Sequence, residues 1–286
     1  MQKNNKCTLC PRNCNVDRNS NIGYCGTKEK AVISKTMLHQ WEEPCISYKN
    51  GSGTIFFSGC SLGCIFCQNK AISRNISGTE YSATALAELF KELESMGADN
   101  INLVTPTHFA KQIIEALNIY RPNIPIVYNS SGYESVETLK MLESYIDIYL
   151  IDFKYYDTNL AKIYSKAEDY PNIAKNAILE CLRQKPNSTL DNGKMLSGVI
   201  IRHLLLPQAT QNAIDVTNWV ADNADNAYFS LMSQYIPCGE NLPKPLQRKI
   251  TRREYEKVVD HIVNLGLENV FLQDIASASK SYIPDF

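Results

Sequence analysis

A chain of 286 residues, 44% hydrophobic and 21% charged, has the make-up of a soluble globular protein with one large core or one core and a small appendage. Its formal net charge of -1 offers no basic surface for nucleic acid, and no apolar run approaches the ~18 residues of a membrane span, so neither partner is expected. The polar residues 1–6 look like neither a secretory signal nor a presequence, so a cytoplasmic location is expected. In that reducing setting ten cysteines read as metal or redox ligands sooner than as disulfides.

The first block of cysteines is Cys7, Cys10, Cys14 and Cys25, spaced C-x2-C-x3-C-x10-C on a turn-rich segment. Four thiolates so placed suit a structural zinc site, which would organise a piece too small for its own core, or a second iron-sulfur cluster that relays electrons. Between this block and the next lies HQWEEPCIS, where Trp41 is expected to pack and Glu42 and Glu43 to be solvated. Residues 1–49 show little periodicity, and 51–53 (GSG) read as a hinge. This divides the chain into a Cys-rich metal-binding extension, 1–50, and a main domain, 51–286.

From residue 54 onward, β-branched or aromatic runs alternate with amphipathic stretches, the mark of a parallel α/β fold. Strands are expected at 54–58, 101–104, 124–129, 148–153, 198–206, 228–232 and 269–272. Helices are expected at 83–96, 109–119, 136–145, 213–221 and 252–265, with a mostly helical segment up to residue 183. Seven such units fall short of the eight of a full (β/α) barrel, so the expected fold is a partial, open barrel of six or seven parallel strands. Residues 185–193 (KPNSTLDNG) read as a surface loop. Cys238 reads as an incidental thiol, and Arg248, Lys249, Arg252 and Arg253 as a solvated face.

The stretch that carries chemistry is FFSGCSLGCIFCQN, directly after the first expected core strand. Cys60, Cys64 and Cys67 are spaced C-x3-C-x2-C, and Gly59 and Gly63 allow a tight loop on which three sulfurs converge. Three thiolates suit a [4Fe-4S] cluster with one iron left open, and an open position is what makes a metal site reactive. A zinc or ferredoxin-type site borrowing a fourth ligand, such as His39 or Cys45, would read similarly, but structural zinc sites favour two close ligand pairs.

The triplet, with Phe66 before its last cysteine, resembles the signature of the radical S-adenosylmethionine (SAM) superfamily. The resemblance spans about residues 47–274, and GSGTIFFSGCSLGCIFCQN is similar to an uncharacterised branch near the pyruvate formate-lyase activating enzymes. It implies that SAM chelates the open iron through its amino and carboxylate groups, and that an electron from the cluster breaks the sulfonium bond to give a 5'-deoxyadenosyl radical. It also implies an electron donor such as flavodoxin or ferredoxin.

The resemblance further implies roles for residues at strand ends. Asn129 and Ser130, in YNSSG, would stand near the cofactor. Asp152 and Lys154 match an Asp-x-Lys motif tied to the cofactor and a monovalent cation. Arg202 would reach the cofactor carboxylate, and Phe66 would pack beside the adenine. Read singly, these residues also suit a local ion pair, a solvated charge and core packing; their common place at strand C-termini favours the site.

One departure stands out. Where the activating enzymes carry Gly-Gly-Glu, this chain has Thr105-Pro106-Thr107-His108, leaving backbone carbonyls, the Thr107 hydroxyl or His108 to serve. Three functions follow as expectations: hydrogen abstraction from a protein substrate, as in glycyl-radical activation; radical modification of a small molecule or peptide; or non-catalytic iron-sulfur electron transfer.

Overall fold

The computed structural model describes residues 6–278 and Pro284. The first strand, β1 (Ala31–His39), runs antiparallel to β2 (Ser52–Phe57), with Met37 opposite Thr54 and His39 opposite Ser52. After the cysteine loop come a one-turn helix, α1 (Lys70–Ser73), and β3 (Thr79–Tyr81), which pairs with β1. Helices and strands then alternate: α2 (Ala83–Ser95), β4 (Ile101–Val104), α3 (Ala110–Ile119), β5 (Ile126–Ser130), α4 (Val136–Leu142), β6 (Ile148–Asp152), α5 (Thr158–Ser165) and α6 (Tyr170–Gln184). The last elements are β7 (Thr189–Asp191), β8 (Lys194–Leu204), α7 (Thr210–Asn223), β9 (Tyr228–Met232), α8 (Arg252–Leu265) and β10 (Val270–Leu272).

The sheet order is β10-β9-β8-β6-β5-β4-β2-β1-β3, with β7 on the flank of β8. The seven strands from β10 to β2 are all parallel, and the sheet ends at β10 and β3 without closing. This is the expected α/β partial barrel, and each of its seven core strands forms where a β-branched or aromatic run stands in the sequence.

Period-two alternation sends successive side chains to opposite faces. On β6, Tyr149 and Ile151 join the large core under the helices, while Ile148 and Leu150 join Val127 and Ile200 in a smaller cluster on the concave side. Helix ends are set locally: Ser82 and Ser135 cap α2 and α4, and Thr251 with Glu254 forms a capping box on α8, closed by Gly266 at φ 71°. Among the described residues no helix is long and apolar enough to cross a membrane.

Two expectations require correction. The stretch 185–193 is not a plain loop, because β7 and the start of β8 form an exposed hairpin through Asn192 and Gly193, at φ 50° and 92°. Asn-Gly is the dipeptide that tolerates two positive φ values in succession. The first 49 residues also hold more order than their pattern predicts, since β1 lies in the main sheet. The 51–53 stretch, expected to be a hinge, is tied down: one Asp99 oxygen accepts from the backbone N–H of Lys49, Asn50 and Gly51 at 2.8, 2.8 and 3.0 Å, and Ser52 and Gly53 already belong to β2.

Candidate active site

Strand β2 ends at Phe57, and the loop that follows turns on Gly59 and Gly63 at φ 90° and 71°. A Cβ on Gly63 would stand 1.0 Å from Arg74 Nη2, and one on Gly59 would stand 2.6 Å from the Cys25 carbonyl oxygen. The loop folds this tightly because neither residue has a side chain. Cys60, Cys64 and Cys67 thereby line one cavity of about 220 Å³ at the C-terminal end of the parallel strands. The Ser165 hydroxyl donates to Cys64 Sγ at 3.2 Å and the Ser73 hydroxyl to Cys67 Sγ at 3.5 Å.

As free thiols these groups resist ionisation. Burial pushes Cys67 up to about 12 and raises Cys60 as well. A bound cation is what stabilises thiolates in such a place, so the donor set fits an iron-sulfur cluster.

The same cavity is lined by Phe66, Asn129, Ser130, Asp152, Lys154 and Arg202, which brings together every residue that the resemblance singled out around the triplet. Arg202 is at the centre of a buried network. Its Nε donates to Asp152 Oδ1 at 2.9 Å, Nη2 to Asn129 Oδ1 at 2.6 Å and Nη1 to Glu42 Oε2 at 3.1 Å. Lys154 Nζ donates to Asp152 Oδ2 at 2.5 Å. Burial alone would raise the Asp152 carboxyl, but Arg202 and Lys154 outweigh it and hold it below its usual range. Burial likewise opposes the charge of Arg202, and Asp152, Glu43 and Glu42 more than restore it. Phe66 lies edge-on to Tyr155, Tyr164 and Tyr235, with ring centroids 6.1–6.4 Å away, so it packs in an aromatic cluster while also facing the cavity.

The expectation for HQWEEPCIS is reversed. Trp41 is 59% exposed, whereas Glu42 and Glu43 are drawn into the barrel. Glu42 Oε1 accepts from Asn102 Nδ2 at 2.9 Å and Asn129 Nδ2 at 3.2 Å, and Oε2 pairs with Arg202. Glu43 is buried beside Ser230 and its carboxyl is raised, chiefly by burial. The physical reason is the next turn of chain: Cys45 and Ile46 pack against Val127, Ile148, Leu150 and Ile200, filling the concave face and carrying the glutamates in with them. Two adjacent glutamates carry no sign of this in the sequence, since the counter-charge is 160 residues away.

At the Thr105–His108 departure, Thr105 lines the cavity at φ 59°. Thr107 turns away, its hydroxyl donating to Glu134 Oε1 at 2.7 Å, and Tyr128 donates to Glu134 Oε2 at 3.1 Å. His108 is buried behind the cysteine loop with Nε2 2.8 Å from the Ser58 carbonyl, and burial lowers it to about 3, so it stays neutral. It braces the strand end from behind.

Of the N-terminal cysteines, Cys25 and Cys14 lie side by side, their sulfurs 3.3 and 3.7 Å from where a Gly23 Cβ would be. The block is bolted to the loop of Cys60 to Cys67: Cys60 N donates to the Cys25 carbonyl at 3.1 Å, and Arg12 donates to the carbonyls of Ser61, Leu62 and Ser165 at 2.9, 3.0 and 2.8 Å.

Comparison with known proteins agrees with this geometry. The pattern of the Radical SAM superfamily matches residues 54–204. An uncharacterized protein of Methanocaldococcus jannaschii is 30% identical over 276 residues, covering 93% of this chain and 76% of that protein. The chain belongs to the radical SAM superfamily. Radical SAM membership implies a [4Fe-4S] cluster and SAM, consistent with the thiol set and the cavity.

Among solved structures, Streptococcus suis SuiB bound to S-adenosylmethionine superposes with a TM-score of 0.52 at 15% identity, covering 78% of this chain and 50% of SuiB. SuiB bound to its precursor peptide SuiA gives 0.51 at 13% identity, covering 75% and 46%. At these identities the likeness is one of fold, and the radical SAM chain spans about half the length of SuiB.

Proposed function

We propose that this radical SAM protein is an enzyme that abstracts a hydrogen atom from a segment of a peptide or protein. The observation that carries the reading is the shared cavity: the three thiols, the Arg202–Asp152–Lys154 network and Asn129 meet at the open end of a sheet that does not close. When bound, the cluster supplies the electron that cleaves SAM, and the cofactor supplies the carbon radical.

The chain's own residues hold and orient. Cys60, Cys64 and Cys67 ligate the cluster. The Arg202 fork, fixed by Asp152 and Asn129, receives the cofactor carboxylate in place of Glu42, and a fixed guanidinium is suited to that contact. Asn129 and Ser130 offer hydrogen bonds, Lys154 keeps Asp152 charged, and Phe66 with its aromatic neighbours keeps water from the adenine side. The metal-binding cysteines Cys7 to Cys25 stand ahead of β1, and the catalytic domain takes in β1 together with the strands and helices that follow it. Electrons come from a donor such as flavodoxin or ferredoxin.

A second cavity of about 400 Å³ supports the substrate reading. It is bounded by β9, β10 and residues 40–44, and shares Trp41, Glu42, Arg202, Met232 and Gln234 with the first. A chain segment entering there arrives beside the cofactor; SuiB, which is similar in fold, has been seen bound to a precursor peptide. Glycyl-radical activation belongs to this class of reaction. The size of the second cavity also suits a small molecule, so the substrate assay includes both.

Anaerobically reconstituted and reduced protein is expected to convert SAM to 5'-deoxyadenosine, and Cys64→Ala to abolish the conversion. Arg202→Lys keeps the charge but loses the fork, and is expected to weaken SAM binding by about 10- to 100-fold in calorimetry. A wild type with a full cluster that forms no 5'-deoxyadenosine under any reductant leaves the electron-transfer reading in its place.

A further inference from the structure

We propose that the second cavity binds a cation carried on an alkyl stem, an alkylammonium group of the substrate, and that Glu43 receives it. The inference rests on the radical reading proposed above and names the class of substrate presented to it.

The charges lining the two cavities do not balance. Among the described residues Asp152, Glu42 and Glu43 supply three carboxylates, and Arg202 and Lys154 supply two cations. Arg202 pairs with Asp152 and Glu42 at 2.9 and 3.1 Å, and Lys154 pairs with Asp152 at 2.5 Å. Glu43 is left over. It is 8% exposed, and its Oε2 has no hydrogen-bond partner. Arg202 is near enough to ease its charge, but the three guanidinium nitrogens donate to Asp152, Asn129 and Glu42. Protonation does not mend this, because Oε2 lacks a donor and an acceptor alike. Burial, with Glu42 beside it, raises the Glu43 carboxyl against the pull of Arg202, as expected of a site short of positive charge.

The carboxylate is held in place. Glu43 opens a fixed turn, its carbonyl accepting from Ile46 N at 2.8 Å and Ser47 N at 3.1 Å, and Ile46 is fully buried. A buried polar group without a partner inside the fold is one that a ligand can satisfy.

The other walls describe the rest of the ligand. Trp41, Met232, Val270, Phe271 and Leu272 give the second cavity apolar surface for a hydrocarbon stem, and Glu42 and Glu43 give it an anionic end. Aromatic and aliphatic walls beside carboxylates suit an alkylated cation, whose stem packs while its hydrogens are accepted. Glu43 lines the second cavity and not the first, so its cation is not one that SAM carries beside the thiols. Once Arg202 turns to the SAM carboxylate, Glu42 Oε2 is released, while Oε1 keeps its bonds to Asn102 and Asn129. Glu42 lines both cavities, so the freed oxygen adds to the anionic end. A substrate anchored there presents the rest of itself to the first cavity across the shared Arg202, Met232 and Gln234.

The oxidised, reconstituted holoenzyme loaded with SAM is to be titrated by calorimetry with two matched pairs of probes. One pair is acetyl-Gly-Lys-Gly-amide and its hydroxynorleucine counterpart; the other is pentylamine and pentanol. In at least one pair the cation is expected to bind about tenfold more tightly than its neutral match. Preference within the peptides alone assigns the cation to a peptide side chain, and preference for pentylamine assigns it to a free amine. No preference in either pair, or no binding of either cation, overturns the proposal, and this comparison needs no variant to fold. Glu43→Gln keeps the shape and removes the charge, and is expected to cut the preference to about threefold or less. A variant that keeps the full preference, whether or not its SAM binding weakens, overturns Glu43 as the receiving group. Formation of 5'-deoxyadenosine by the reduced wild type tests the radical reading separately. None formed with the preference intact defeats that reading and leaves the cation site standing, whereas formation without any preference defeats the cation site alone.

Discussion

Glu134, behind the strand ends that line the cavity, shows how a single buried group responds to its surroundings. It is 1% exposed, accepts hydrogen bonds from Thr107 and Tyr128, and burial lifts its carboxyl from 4.5 to about 7. Because the folded value lies above the unfolded one, the stabilisation is fully present below about 4.5 and is lost as pH rises through about 7, a change on the order of 3 kcal/mol. Glu134→Gln is expected to flatten the dependence of the urea midpoint on pH between about 5 and about 8, and to be more stable than the wild type at the upper end. Identical slopes for the two proteins would show that Glu134 does not titrate there. The cysteines were legible from sequence because their spacing lies within one loop. Glu42 was not, since a carboxylate looks solvated until its arginine, far along the chain, is brought beside it.

Among the elements, the loop of Cys60 to Cys67 depends on two glycines in different ways. A methyl group added at Gly63 would meet the end of the Arg74 side chain, which can swing aside, leaving mainly the cost of a positive φ. A methyl group added at Gly59 would meet the backbone carbonyl of Cys25, which can yield only if the N-terminal block moves. Gly59→Ala is therefore expected to lose more iron on reconstitution than Gly63→Ala, and to loosen residues 7–25 in limited proteolysis; the reverse order would refute the packing argument. The core strands were readable because they are short, branched and repeated. The strands β1, β3 and β7 were missed for separate reasons: β1 follows a cysteine block that breaks any period, β3 is three residues long and exists only by pairing with β1, and β7 is a three-residue exposed strand whose only signal is the Asn-Gly turn.

At the scale of the whole molecule, residues 40–47 act as the floor of the half-barrel. Ile46 is fully buried among strands β5, β6 and β8, Asn100 Nδ2 donates to its carbonyl at 2.7 Å, and Met195 N donates to the Cys45 carbonyl at 2.9 Å. Ile46→Ala is expected to cost about 2–5 kcal/mol in chemical denaturation and to weaken SAM binding, because the floor carries Glu42 to Arg202. Unchanged SAM affinity in a destabilised variant would separate the floor from the site. Sequence alone determined the parallel α/β architecture and the placing of three cysteines on one loop after its first parallel strand, since hydrophobic period and residue spacing are local properties of the chain. Tertiary structure alone decided that Glu42 and Glu43 enter the barrel, that Thr107 and His108 turn from the cavity, and that the two cysteine blocks touch. Those contacts join residues far apart in sequence, and burial and charge pairing select them only once the sheet has assembled.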